Sequence, residues 1–202
     1  MRRIITLSLT LLLLSSCRFF SVQHNHFTND FPNTVGDSWT YVLTDDSGNS
    51  DILKVTIVAK GKMSNGQAAT IWQYDYPGFT DSLWVVSNDT AANFYRNPGS
   101  SSTSRPVLAL VMPLQVGNNW STDVPYGDTT KVLSKTSISV PAGTFSPVYK
   151  ISKTVGYVTN SWTKDTLWYK NKIGLLKKSQ AEFSLGPLPG NGTWELKSYT
   201  IH

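Results

Sequence analysis

Apolar and polar residues alternate one by one along several stretches of this chain. Trp72, Tyr74 and Tyr76 are separated by Gln73 and Asp75, and Leu53, Val55 and Ile57 by Lys54 and Thr56. Trp194 and Leu196 alternate with Glu195 and Lys197 near the C-terminus. A period of two sends successive side chains to opposite faces of an extended strand, so each stretch reads as a half-buried β-strand. No stretch after residue 17 sustains a helical stripe. Turn signals separate the runs: Ser47-Gly48-Asn49, Ser64-Asn65-Gly66 and Pro189-Gly190-Asn191-Gly192. The pattern predicts an all-β domain.

The chain also resembles itself. Phe31-Pro32-Asn33-Thr34-Val35-Gly36-Asp37-Ser38-Trp39 returns as Met112-Pro113-Leu114-Gln115-Val116-Gly117-Asn118-Asn119-Trp120. Asp81-Ser82-Leu83-Trp84-Val85 returns as Asp165-Thr166-Leu167-Trp168-Tyr169, and Lys54-Val55 as Lys131-Val132. Two tryptophan motifs in the same order point to two internal β repeats, residues 31–111 and 112–202. In the motif, proline suits the lead-in to a strand, glycine allows a turn closed to other residues, and tryptophan anchors the strand in the core. A pocket lined by Trp39 and Trp120 is the functional alternative to a core corner.

The N-terminus has a different pattern. Arg2 and Arg3 precede an apolar run, Ile4 to Leu14, closed by Ser15, Ser16 and Cys17. At about eleven residues the run is too short for a spanning helix, which needs about 20, and the layout is that of a secretory signal. Leu14-Ser15-Ser16-Cys17 resembles a bacterial lipobox, which implies acylation of Cys17 and removal of residues 1–16. Residues 17–30 then form a lipidated tether, with His24 and His26 in it, and residues 31–202 the β domain. Arg18 stands where aspartate would retain an enterobacterial lipoprotein in the inner membrane, so the expected location is the cell envelope, at the outer membrane. Cys17 is the chain's single cysteine, so no intramolecular disulfide staples the domain.

Charge and chemistry narrow the function by exclusion. The formal net charge is +5, but Arg2 and Arg3 belong to the signal. The densest basic group, Lys164, Lys170, Lys172, Lys177 and Lys178, reads as a solvated strand edge and not as a nucleic-acid face. Apart from His24 and His26 the chain has one histidine, the terminal His202, and no nucleophile elbow, phosphate loop or zinc spacing occurs. Neither a metal nor a cofactor is expected. Glu182, Glu195, Asp75, Asp81 and Asp165 are the carboxylates to consider for hydrolysis. Asp81 and Asp165 would face each other if the repeats were related by a twofold axis, but placement beside a buried tryptophan explains them more simply. The loop Asp45-Asp46-Ser47-Gly48-Asn49-Ser50-Asp51 reads as a hairpin and lacks the full calcium-loop pattern.

Val140-Pro141-Ala142-Gly143-Thr144-Phe145, Val148-Tyr149-Lys150-Ile151 and Trp168-Tyr169…Ile173-Gly174-Leu175-Leu176-Lys177, together with the first motif, resemble the TapB-like family of secreted and lipid-anchored bacterial β domains. The resemblance spans about residues 31–200. It implies a single antiparallel, strongly curved sheet, a half-barrel or open barrel, with a β-sandwich as the alternative architecture. It carries no catalytic residue. Two functions from different classes follow. One is a non-catalytic binding or carrier lipoprotein whose concave aromatic face takes an apolar or glycan ligand through Trp72, Tyr74, Trp84, Trp162 and Trp168. The other is a structural lipoprotein that meets an envelope protein and holds no small molecule.

Overall fold

Twelve strands follow one another without a helix among the residues that the computed structural model describes, 30–96, 98, 105–122, 127–158, 161–183 and 192–202. They are β1 (Ser38–Asp45), β2 (Ser50–Lys62), β3 (Ala68–Tyr76), β4 (Phe79–Ser87), β5 (Ala91–Tyr95), β6 (Leu108–Val111), β7 (Asn119–Trp120), β8 (Asp128–Val140), β9 (Gly143–Val158), β10 (Ser161–Lys170), β11 (Gly174–Phe183) and β12 (Gly192–Thr200). The signal run, Cys17 and the tether histidines lie outside the described residues.

All twelve strands join one antiparallel sheet in the order β6-β5-β4-β3-β2-β1-β12-β11-β10-β9-β8-β7, nearly closed into a barrel. This is the curved single sheet expected, and the sandwich alternative does not apply. Two meanders, β1–β6 and β7–β12, meet through a full β1–β12 ladder from Ser38↔Thr200 to Asp45↔Gly192. The two sheet edges are therefore β6 and β7, in mid-chain. The lysine-rich strands β10 and β11 are paired on both sides, so the strand-edge reading of their lysines is corrected. Side-chain direction separates them instead, for Lys178 points inside the barrel while Lys164 is exposed.

The two copies of the tryptophan motif build the same corner. Gly36 and Gly117 both take positive φ, 102° and 95°. Gly36 N–H donates to Ile57 O and Ile57 N–H to Asp37 O; Gly117 N–H donates to Val132 O and Val132 N–H to Asn118 O. The environments differ. Asp37 is fully buried, accepts from Thr34 N–H and His202 N–H at 2.9 Å each, and so pins the C-terminus to the first corner.

Both corners lie at one end of the barrel, because each leads into an odd-numbered strand. Residues 30–33 also cross that end. Lys172 N–H donates to Asp30 O beside the β10–β11 turn, while Phe31 stacks on Trp72 of β3 and meets Phe94 of β5 edge-on. Met112 and Leu114 of the second corner are buried in the same core. The opposite end carries the β1–β2 hairpin, whose Asp45 carboxylate accepts from Ser47 N–H, Asn49 N–H and Asn49 Nδ2, a plain hairpin loop. The core is the barrel interior, with Leu53, Ile57, Val85, Val132, Ile151, Leu176 and Leu196 fully enclosed.

Candidate functional site

Strand alternation and the crossing N-terminal segment leave a cavity of about 880 Å³ within the barrel. That is within the range of small-ligand sites, roughly 300–1,000 Å³. Its floor is aromatic. The Trp39 and Trp72 rings stack at 4.9 Å, Phe31 covers the other side of Trp72 at 5.7 Å, and Phe94 meets Trp72 edge-on at 5.5 Å. Both indole N–H groups are satisfied, Trp39 Nε1 by Ile173 O at 2.6 Å and Trp72 Nε1 by Asn33 Oδ1 at 3.0 Å. Gly174, packed beside Trp39 and Pro32, takes a φ of +100°, which side-chain-bearing residues rarely adopt.

The upper wall mixes rings with charge. Trp194 lies 6.1 Å from Tyr41 and 6.2 Å from Tyr76, which also stacks with Tyr74 at 6.5 Å. Lys178 Nζ sits 4.9 Å over the Trp194 ring and 3.3 Å from Asp165. At the rim Arg96 and Asp81 approach to 3.7 Å, with both side chains open to solvent. Asp81 and Asp165 thus line one cavity from β4 and β10, each with its own cation.

Lys153 lies deeper, 7% exposed, and its ammonium donates to Val107 O, just before β6. Burial pushes its pKa down, against the pull of Asp165 and Asp128. Burial likewise raises the phenols of Tyr41, Tyr74 and Tyr169 well above the usual tyrosine value, so all three are neutral donors at pH 7. Tyr41 uses its hydroxyl on Leu175 O at 2.9 Å. The Tyr169 hydroxyl and Asp165 Oδ1 are buried without a hydrogen-bond partner.

The sequence-selected aromatics divide. Trp72 and Tyr74 line the cavity. Trp84 lies on the outer face, over Gly61, where an added Cβ would come within 2.5 Å of its ring, and packs with Met63, Ala69 and Val86. Trp168 also faces outward, with Lys150 and Lys177 ammoniums 5.5 and 5.7 Å from its ring. Neither Trp84 nor Trp168 touches the cavity, because each follows an inward leucine (Leu83, Leu167) by one residue and alternation turns it out. The Trp162 side chain lies outside the described residues. Trp39 is at once the buried corner anchor and part of the cavity floor, whereas Trp120 is not among the lining residues. Sequence reasoning missed Tyr41, Trp194, Lys153 and Lys178. For Lys153 a signal existed, since it shares the inward parity of Ile151 and Val155.

No protein-family model and no curated protein matches the chain. A solved structure similar to it is the crystal structure of a "putative lipoprotein" from Parabacteroides distasonis ATCC 8503. The identity is 15%, over 84% of this chain and 97% of that one, with a TM-score of 0.47.

Proposed function

We propose that this protein is a lipid-anchored lipoprotein of the outer membrane that binds an apolar or glycan ligand in its barrel, without catalysis. Acyl chains on Cys17 hold it, and residues 18–30 separate lipid from barrel. The motifs that resemble those of TapB-like domains, and the two corners with matching hydrogen bonds, support a duplicated unit of this lipoprotein class. The observation that carries the binding reading is the aromatic cavity, whose upper wall keeps Tyr74, Tyr76 and Trp194 only partly buried. A core built for stability alone would fill that space, since interiors pack to near-crystalline density. Each cavity carboxylate has a cation beside it, Asp81 with Arg96 and Asp165 with Lys178, which fits a non-catalytic role. Titration of the protein with palmitate and with chitotriose, followed by tryptophan fluorescence, tests the proposal. A saturable change with one of them that falls at least tenfold in affinity in Trp194→Ala supports it. The absence of a saturable response to either probe, or a response unaltered in Trp194→Ala, counts against it.

A further inference from the structure

The chain leaves the described barrel at Asp30, beside the β10–β11 turn, where Lys172 N–H donates to Asp30 O and Asn171 Nδ2 reaches its carboxylate at 3.3 Å. That is the closed end. Asp30, the first described residue, therefore lies on the side opposite the rim formed by Asp81 and Arg96. Two further features lie at the closed end. Val35 and Val116, one from each corner and at matching positions, are 40% and 55% exposed there. Lys60 and Lys62, at the end of β2, and Lys172, in the β10–β11 turn, are exposed at the same end. Lys135 and Lys197 add exposed charge on the neighbouring halves of β8 and β12.

The acids near this end are few. Asp37 is enclosed and hydrogen-bonded, and Asp30 is engaged by Asn171, which leaves Asp89 in the β4–β5 turn as the exposed one. The opposite end carries Asp45, Asp46, Asp51, Asp75 and Asp81. Exposed valines and lysines at the same end match the chemistry of a bilayer interface, where apolar tips enter the headgroup region and each nearby lysine adds attraction to anionic lipid.

We infer that the closed end of the barrel docks on an anionic bilayer surface, with Val35, Val116, Lys60, Lys62 and Lys172 as its contacts, and holds the cavity mouth away from the membrane. The inference rests on the lipid-anchor reading for its physiological setting, and on charge and geometry for the surface itself. The occupant of the cavity would then arrive from the aqueous side and not directly from the bilayer beneath.

The test uses the full chain carrying Cys17→Ser, which removes the acylation site, floated with phosphatidylglycerol vesicles. Arg2 and Arg3 are common to every arm, so variants are compared within this background. Lys60→Glu/Lys62→Glu/Lys172→Glu should lower vesicle binding at least tenfold, since each lysine contributes about a fivefold factor near such a surface. Lys54→Glu/Lys164→Glu, exposed and nearer the mouth, should lower it less than about threefold. Both variants alter exposed side chains, and circular dichroism with a melting curve checks that they fold. Equal losses in the two variants, or no loss in either, would overturn the docking surface. Intact mass of the wild-type protein from membranes reports Cys17 acylation separately, so failure of the anchor and failure of the docking surface are read in different measurements.

Discussion

The two places where the barrel's meanders meet are built differently. At β1–β12 the backbones form a ladder, and Trp39 at its end is 2% exposed, with its indole bonded to Ile173 O. At β6 and β7 no ladder forms, and side chains bridge the gap. Trp120 Nε1 donates to Ala109 O at 2.9 Å, and Lys153 reaches across from β9 to Val107 O. The same motif thus precedes both places, but only one of them is closed by backbone. The reason is length: β7 is two residues where β1 is eight. An edge strand with free carbonyls invites pairing with another chain, and covering one carbonyl of β6 with an indole and the carbonyl just before it with an ammonium is one way to blunt it. The side-chain seam is the weaker joint, and local opening of the barrel should begin there.

Four substitutions probe that contrast. Trp39→Ala removes a fully enclosed ring from both ladder and cavity floor, and should cost about 4–5 kcal/mol in urea unfolding. Trp120→Ala, from the same motif position but half-buried, should cost only about 2–3 kcal/mol, with faster hydrogen exchange in β6 and β7 than in β1 and β12. Equal costs for the two would erase the distinction.

Lys153→Met acts on the pH profile. Burial holds the folded-state pKa of Lys153 below its unfolded value, which is about 10.4. Between those two values the unfolded chain binds more protons, so the wild type gains stability as pH rises through the window. Lys153→Met should abolish that rise in the alkaline range just below the unfolded value. An unchanged slope would show that the ammonium is not buried as described. The smallest effect is expected from Tyr169→Phe, which deletes a hydroxyl without a partner. It should be neutral or stabilising by about 1 kcal/mol, since no hydrogen bond is lost.

Much of this architecture is legible in the chain. Alternation in Trp72-Gln73-Tyr74-Asp75-Tyr76 gives both the strand and its ring-bearing face, and the repeated glycine–tryptophan corner appears twice with the same hydrogen bonds. What alternation cannot give is which parity is inside. In Asp81-Ser82-Leu83-Trp84-Val85-Val86 either parity is plausible, and the larger ring turned outward because Gly61 and Ala69 leave a groove for it across β3. The cavity's charged residues were hidden for a related reason. Lys178 looks like any surface lysine until the bend of β11 around Leu175 and Lys177, marked by a register shift opposite Trp168 and Tyr169, sets it on the inner face. Closure at β1–β12 pairs strands more than 140 residues apart, a contact that no local pattern announces.

Native mass spectrometry of the protein purified gently from its own membranes tests the binding account most directly. The account predicts a complex with one small molecule per chain, which organic extraction releases and which is lost when Leu83→Trp and Val155→Trp fill the upper cavity in a chain that still folds. A wild-type protein recovered only at its own mass, with no bound species at any collision energy, would contradict it.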